Sequence, residues 1–308
     1  MTDAKRVTLN DVAAASGVSR ATASFVLRDS PNQSISAATR ERVRQAARDL
    51  GYVPHGIARA LREGSSRIVV LSLDVTLDGH YARSYVRGLD AELAAHDHAL
   101  LVRYEHGARG DRRLDAIAPR AVLRFGEPYL TGHELDDSGG GWRDGLAAHV
   151  AAQVGYLAER GHTRIALALP GRETPLRAVR QRFADQAARM HGLAPLTPCS
   201  IPVSRTEAAD SLTQLRAACP AVTGVAAFDD DVALRVLAAM RDLGLAAPGD
   251  LAVIGFDDNG YGALATPALT TVHIDAEAHG RQAARAILGL GSEGLSPAPG
   301  QVIVRESA

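Results

Sequence analysis

Beyond residue 66 the chain alternates short, β-rich apolar runs with longer stretches of helical periodicity, and this alternation restricts the fold more than any other feature. The apolar runs cover 67–73, 99–104, 120–125, 163–169, 224–228 and 251–256, with one more at 301–305. The helical stretches cover roughly 81–96, 143–160, 174–191, 206–218, 230–243 and 276–289. Parallel strands need crossovers of a dozen or more residues, which these stretches supply. The pattern therefore predicts parallel sheets covered by helices on both faces. Ligands of such sheets bind beyond the carboxyl ends of the strands, so the residues that follow each run are site candidates.

The first 66 residues obey a different pattern. Thr8 can cap a helix with Asp11 at the third helical position, and Val12, Ala13 and Ala15 supply a short apolar face. Gly17 permits the left-handed turn that ends this helix, and Ser19 is a good cap for the next. A third helix follows Ser36, with Val43, Ala46, Ala47 and Leu50 on one face and Gly51 as its stop. Three small helices fit a helix-turn-helix domain, whose second helix would turn Ser19, Arg20, Ala21, Thr22 and Ser24 toward the major groove. Any short helical hairpin with a glycine turn carries the same punctuation, so the motif needs context.

Charge supplies some of it. Residues 1–66 hold ten Lys/Arg against six acids, while the rest of the chain holds 24 against 29. A basic small segment on an acidic body suits a polyanion-binding head. No uncharged apolar run approaches the roughly 20 residues that span a bilayer, and the polar opening from Met1 to Arg6 is unlike an export signal, so a cytoplasmic protein is expected. Cys199 and Cys219 are the only cysteines, with no metal-ligand spacing around them, and read as free thiols.

The residues around the third helix are more specific. Thr39 to Val43, Leu50 to Pro54 and Ile57 to Arg62 resemble the signature of the lactose-repressor (LacI/GalR) family of bacterial transcription regulators, and the resemblance runs through 7–62 without a gap. It implies a helix-turn-helix DNA-binding domain over 1–53, a hinge helix and linker over 54–66, and an effector-binding and dimerisation core over 67–308. In that family the hinge helix folds on operator DNA and a leucine from each subunit enters the minor groove. Leu61 matches that leucine, and Ala58 the small residue that lets paired hinges approach. Such a wedge unstacks a base step and recovers the cost through the contacts of bent DNA. Thr8 belongs to the implied DNA contacts. Phe25 stands where many members carry a guanine-reading arginine, which implies that this base contact is either missing or replaced by apolar contact with a thymine methyl. His55 stands where the family has asparagine, and Arg20 is the better candidate for base readout.

In the body, Tyr156 to Ile165 is similar to the start of the family's second lobe, and Pro248 to Asp258 with Pro267 to Val272 to its core motif. The resemblance implies an all-α helix-turn-helix head plus an α/β two-lobed, periplasmic-binding-protein-like effector core with parallel sheets. It lapses over 105–142, where the family has more helix and strand, so an abbreviated first lobe is expected. The effector contacts it implies are Asp78, His80, Tyr81, Asp144, Arg180, Asp229 and Asp257, while Asp230 and Asp231 suit helix capping better. The implied function is a sequence-specific regulator, by default a repressor. It would bind a pseudo-palindromic double-stranded DNA operator as a homodimer and respond to a small molecule, such as a sugar or related metabolite, in the interlobe cleft. No cofactor, metal or catalytic residue is implied. The absence of a leucine-heptad helix after 301–305 favours a dimer over a tetramer.

Two other classes compete. An enzyme could use Asp229 to Asp231 with Asp257 and Asp258, but no phosphate loop, nucleophile elbow or His/Cys constellation accompanies them. A transport-type solute-binding protein would share the body, would need an export signal and would leave the head unexplained. Salt-dependent binding to a specific duplex separates the regulator from both.

Overall fold

A computed structural model describes residues 7–27, 34–52, 66–74, 79–105, 114, 117–125, 145–291 and 300–308. The chain divides into two compact units, Met1–Arg67 with Ala116–Ala118, and Ile68–Asp115 with Pro119–Ala308.

The first unit is built on α1 (Leu9–Ser16), α2 (Arg20–Leu27) and α3 (Ala37–Asp49). The Thr8 amide donates to the Asp11 carboxylate at 2.7 Å, closing the amino end of α1. Gly17 takes the left-handed conformation at φ 66° that ends the helix. Ser19 accepts from the Thr22 amide at 3.1 Å and Ser36 from the Thr39 amide at 3.3 Å, so both later helices start where their caps predict. Val12, Ala13, Ala23, Val26, Val43 and Ala47 form the core.

Two expected core positions differ. Ala15 is exposed, and Ser16 is buried in its place because its hydroxyl folds back to the Val12 carbonyl at 2.6 Å. The Arg42 Nε donates to the Ser16 carbonyl at 2.9 Å, satisfying the end of α1 from α3. Leu50 is exposed, since the chain leaves α3 there through Gly51 at φ 63°, and Tyr52 packs against the core instead.

In the second unit, β1 (Ile68–Asp74), β2 (Ala99–Glu105) and β3 (Ala121–Arg124) form a parallel sheet in the order β2-β1-β3. Val69 and Leu71 pack one face against α4 (His80–Ala95) and α9 (Ala276–Leu288). These two helices lie backbone to backbone: a Cβ on Gly88 would sit 2.0 Å from the Glu277 carbonyl oxygen, and one on Gly280 2.1 Å from that of Tyr85. The first lobe is thus completed by a helix from near the end of the chain.

The second lobe carries β4 (Ile165–Pro170), β5 (Thr197–Ile201), β6 (Gly224–Ala227) and β7 (Ala252–Ile254), all parallel, in the order β5-β4-β6-β7. Alternate residues of its strands feed opposite cores. Ile165, Leu167 and Leu169 meet α5 (Leu146–Glu159) and α6 (Pro175–Met190), whereas Ala166 and Ala168 meet α7 (Arg205–Ala218) and α8 (Asp230–Asp242). The lobe is therefore covered on both faces, as the alternation predicts. A short antiparallel pair, β8 (Thr271–His273) with β9 (Gln301–Ile303), joins it. The buried Ser307 hydroxyl donates to the Val253 carbonyl at 2.6 Å and accepts from the Thr270 amide at 2.9 Å. Cys199 and Cys219 are free thiols. No helix among the described residues is long and apolar enough to cross a membrane.

Candidate functional site

A cavity of about 710 Å³ opens at the carboxyl ends of the strands, lined from the first lobe by Gly79, Tyr81, Ala82 and Phe125 and from the second by the loops after β4, β5, β6 and β7. Its position is the one expected for parallel sheets. Arg180, on α6, and Asp257, just beyond β7, both reach it.

Arg180 is 1% exposed. Its Nη2 donates to Gln153 Oε1 at 3.1 Å and to the carbonyls of Ala227 and Phe228 at 3.0 and 3.2 Å, and its guanidinium lies 3.8 Å from the Phe256 ring centre. Gln153 in turn donates to the carbonyls of Ala227 at 2.8 Å and Gly255 at 2.9 Å. The pair binds the ends of β6 and β7 together, so Arg180 fixes the cavity wall as well as lining it. Sequence reasoning missed Gln153, although it stands out as an uncharged amide on the otherwise apolar stretch of α5.

Asp257 adopts φ 92°, a region an L-residue enters only when its surroundings hold it there, and its amide donates to the Val272 carbonyl at 2.9 Å. The side chain is 8% exposed, and Oδ1 meets no hydrogen-bond partner among the described residues. Burial pushes its carboxyl well above the usual range, reinforced by Asp230, Asp229 and Asp231 and opposed by Arg180.

The neighbouring acids divide their work differently from the expectation. Asp229, which also lines the cavity, is the cap of α8 and accepts from the Val232 amide at 2.7 Å. Asp230 does not cap. It is fully buried and accepts from the amides of Phe256 at 2.8 Å and Asn259 at 2.9 Å and from the Thr271 hydroxyl. Burial raises its pKa to about 6 against these hydrogen bonds. Gly255 makes room for it, since a Cβ there would lie 2.1 Å from Asp230 Oδ1. Asp231 lines the cavity and accepts from Asn259 Nδ2 at 3.0 Å.

Tyr81 lines the cavity with its hydroxyl 3.0 Å from His279 Nδ1. His80 is not among the lining residues: it opens α4 and its Nε2 lies 3.3 Å from Ser84 Oγ on the same helix. Asp78 and Asp144 lie outside the described residues. Two lining residues that the sequence reasoning missed are Thr174, at the start of α6, and Phe228.

On the helical unit, Arg20 and Ala21 are exposed at the first turn of α2, beside Ser19, while Thr22, Ser24 and Phe25 are half-buried. Ser19 and Thr22 also pair through their hydroxyls at 2.9 Å, and the Thr8 hydroxyl turns to Asp11. An exposed cation at the start of the second helix is the arrangement a helix-turn-helix needs for base readout. His55, Ala58 and Leu61 lie outside the described residues.

Comparison with known proteins covers both units. Residues 8–55 match the bacterial regulatory proteins, lacI family, and residues 154–308 the periplasmic binding protein-like domain. The chain is 31% identical over 313 residues to the HTH-type transcriptional regulator GntR of Pseudomonas aeruginosa, spanning 92% of this chain and 89% of that one. It is 30% identical over 327 residues to the HTH-type transcriptional regulator MalR of Streptomyces coelicolor, spanning 94% and 91%. Its fold matches the lac repressor dimer bound to operator and the anti-inducer ONPF, with a TM-score of 0.72, 20% identity and coverage of 98% and 99%.

Proposed function

Since this chain belongs to the LacI family of bacterial regulatory proteins, we propose that it acts in the cytoplasm as a dimeric repressor. It binds a pseudo-palindromic operator and is modulated by a small hydroxylated molecule held in the cavity between its lobes. The observation that carries the effector half is the buried carboxyl of Asp257, a residue that lines the cavity and whose Oδ1 meets no partner among the described residues. A ligand hydroxyl supplies the missing hydrogen bond. The solved lac repressor dimer on its operator supports the assembly.

In this reading the helical domain of 1–53 docks α2 in the major groove, with Arg20 and the Ser19 to Phe25 surface at base edges and Thr8 at the backbone. Residues 54–66 form the hinge, with His55, Ala58 and Leu61 at the minor groove. In the core of 67–308, Arg180, Asp229, Asp257 and Tyr81 surround the effector, joined in this reading by Asp78 and Asp144 but not by His80, which faces Ser84. Ligand binding shifts DNA affinity by no more than the ligand's own difference in affinity for the two states. The chain regulates by binding and carries no reaction.

Selection of bound duplexes from a random DNA pool at near-physiological salt tests this. A recovered palindrome with a central pyrimidine–purine step supports the reading; recovery at background with and without added metabolites removes it.

A further inference from the structure

We propose that Asp230, which does not line the cavity, is the residue that positions Asp257 within it. A proton taken up by Asp230 releases the loop that carries Asp257, so ligand affinity falls as the solution turns acid. The proposal rests on the reading of this cavity as the effector site.

Asp257 belongs to the loop that leaves β7, and Asp230 grips that loop on both sides of it. Asp230 Oδ1 accepts from the Phe256 amide at 2.8 Å and from the Thr271 hydroxyl, while Oδ2 accepts from the Asn259 amide at 2.9 Å. Between the two anchored amides the backbone takes φ 92° at Asp257 and 48° at Asp258. Two L-residues in succession hold such left-handed conformations only when their surroundings impose them. Asn259 extends the grip to the cavity, since its Nδ2 donates to Asp231 Oδ1 at 3.0 Å and Asp231 is a lining residue.

An ionised carboxylate can accept all three bonds, and a carboxylic acid cannot. Oδ1 faces two donors and Oδ2 one, so the proton settles on Oδ2, where it meets the Asn259 N–H donor to donor. The Asn259 amide must then leave, and its tether to Asp231 goes with it. The surrounding charges favour this uptake. Asp229 and Asp231 flank Asp230 in the chain, and the loop presents Asp257 and Asp258. Asp258 is paired with Arg305 Nη2 at 2.8 Å and His273 Nδ1 at 3.2 Å. Arg180 acts on Asp229 and Asp257, Arg235 on Asp229, and His80 of α4 stands in the field of Asp231 and Asp258. Burial outweighs the hydrogen bonds of Asp230 and brings its pKa to about 6. The ionised form holds the loop, so affinity is full above that value and falls as pH drops through it. At pH 5 about a tenth of the protein keeps Asp230 ionised, which weakens apparent affinity about tenfold.

Amide NMR of the isotope-labelled full-length protein, titrated from about pH 4.5 to 7.5, tests the proposal. The Phe256, Asp257 and Asn259 amides are expected to move together with one midpoint at about 6. Asp230→Asn, which keeps an acceptor for Phe256 and turns a donor toward Asn259, should abolish that inflection. Thr271→Val, which removes a donor from the carboxylate, should move it upward. Amides that stay flat in the unmodified protein, or an inflection that survives Asp230→Asn, would overturn the proposal. Glucose, galactose, ribose, maltose and cellobiose supply the ligand arm. A sugar that shifts the Asp257 amide should bind about tenfold more weakly at pH 5 than at pH 7.5, and weakly at both in Asp230→Asn. Equal binding at the two pH values would overturn the coupling. If none of the five shifts that amide while the inflection stands, the reading of the cavity fails instead, and the claim on ligand affinity falls with it.

Discussion

Replacing Gly280 with alanine should lower the stability of the larger unit, reversing the usual effect of this substitution in a helix. In an open helix interior, glycine to alanine stabilises by about 1 kcal/mol. On α9 the added methyl would fall 2.1 Å from the Tyr85 carbonyl oxygen and 2.7 Å from the Leu89 amide nitrogen, both backbone atoms of α4. Ordinary contact begins near 3.4 Å, so the helices must part by more than an ångström or bend. Overpacking of this kind costs about 1–3 kcal/mol, and rigid backbone on the far side puts the cost toward the top of that range. The net loss is about 2 kcal/mol, a fall in Tm of about 4–8 °C for a body of this size. Thermal melts of the full chain measure it, with Gly291→Ala as the control because a methyl there enters open space. A Gly280→Ala protein that melts at or above the parent would refute the backbone-to-backbone packing.

Four further outcomes are expected. The folded pKa of Asp230, raised from 3.8 to about 6, means the folded state holds its proton more tightly than the unfolded chain does. Its contribution is therefore present below pH 4 and lost as pH rises through 6, on the order of 3 kcal/mol. Urea midpoints of the wild type and Asp230→Asn between pH 4.5 and 7 read this out, and equal slopes would contradict it. Asp11→Ala removes the carboxylate that closes α1 and should cost about 1 kcal/mol, so hydrogen exchange of the α1 amides quickens about fivefold. Leu61→Ala should weaken specific DNA binding far more than non-specific binding; equal losses in gel-shift titrations would remove the wedge role. Asp257→Asn should keep operator affinity while blunting the ligand response, and an unchanged response in the same assay would take Asp257 out of the site.

Most of the fold was legible because burial writes a period into the residues. The runs at 163–169 and 224–228 coincide with β4 and β6, and every helical stretch found its helix within a few residues. β5 escaped because it holds Pro198 and alternates buried with exposed residues over only five positions, as an edge strand can. At the site, the three consecutive aspartates after β6 could not be told apart in sequence. Which of them caps depends on where α8 begins, and a one-residue step turned Asp230 inward to the loop after β7. Thr174 reads in sequence as an ordinary cap, and only the fold shows that its hydroxyl turns away from that task.

The pairing of α4 with α9 also governs the order in which the chain can mature. Residues 80–95 leave the ribosome early, but the helix that covers the Val69 and Leu71 face beside them arrives only with residues 276–288. Until then that apolar face lacks the part of its cover that α9 supplies, and the second lobe still awaits the strand at 301–303 and Ser307. Neither lobe can close before residues 276–307 have been made, so the first sheet stays open to chaperones or to aggregation until then.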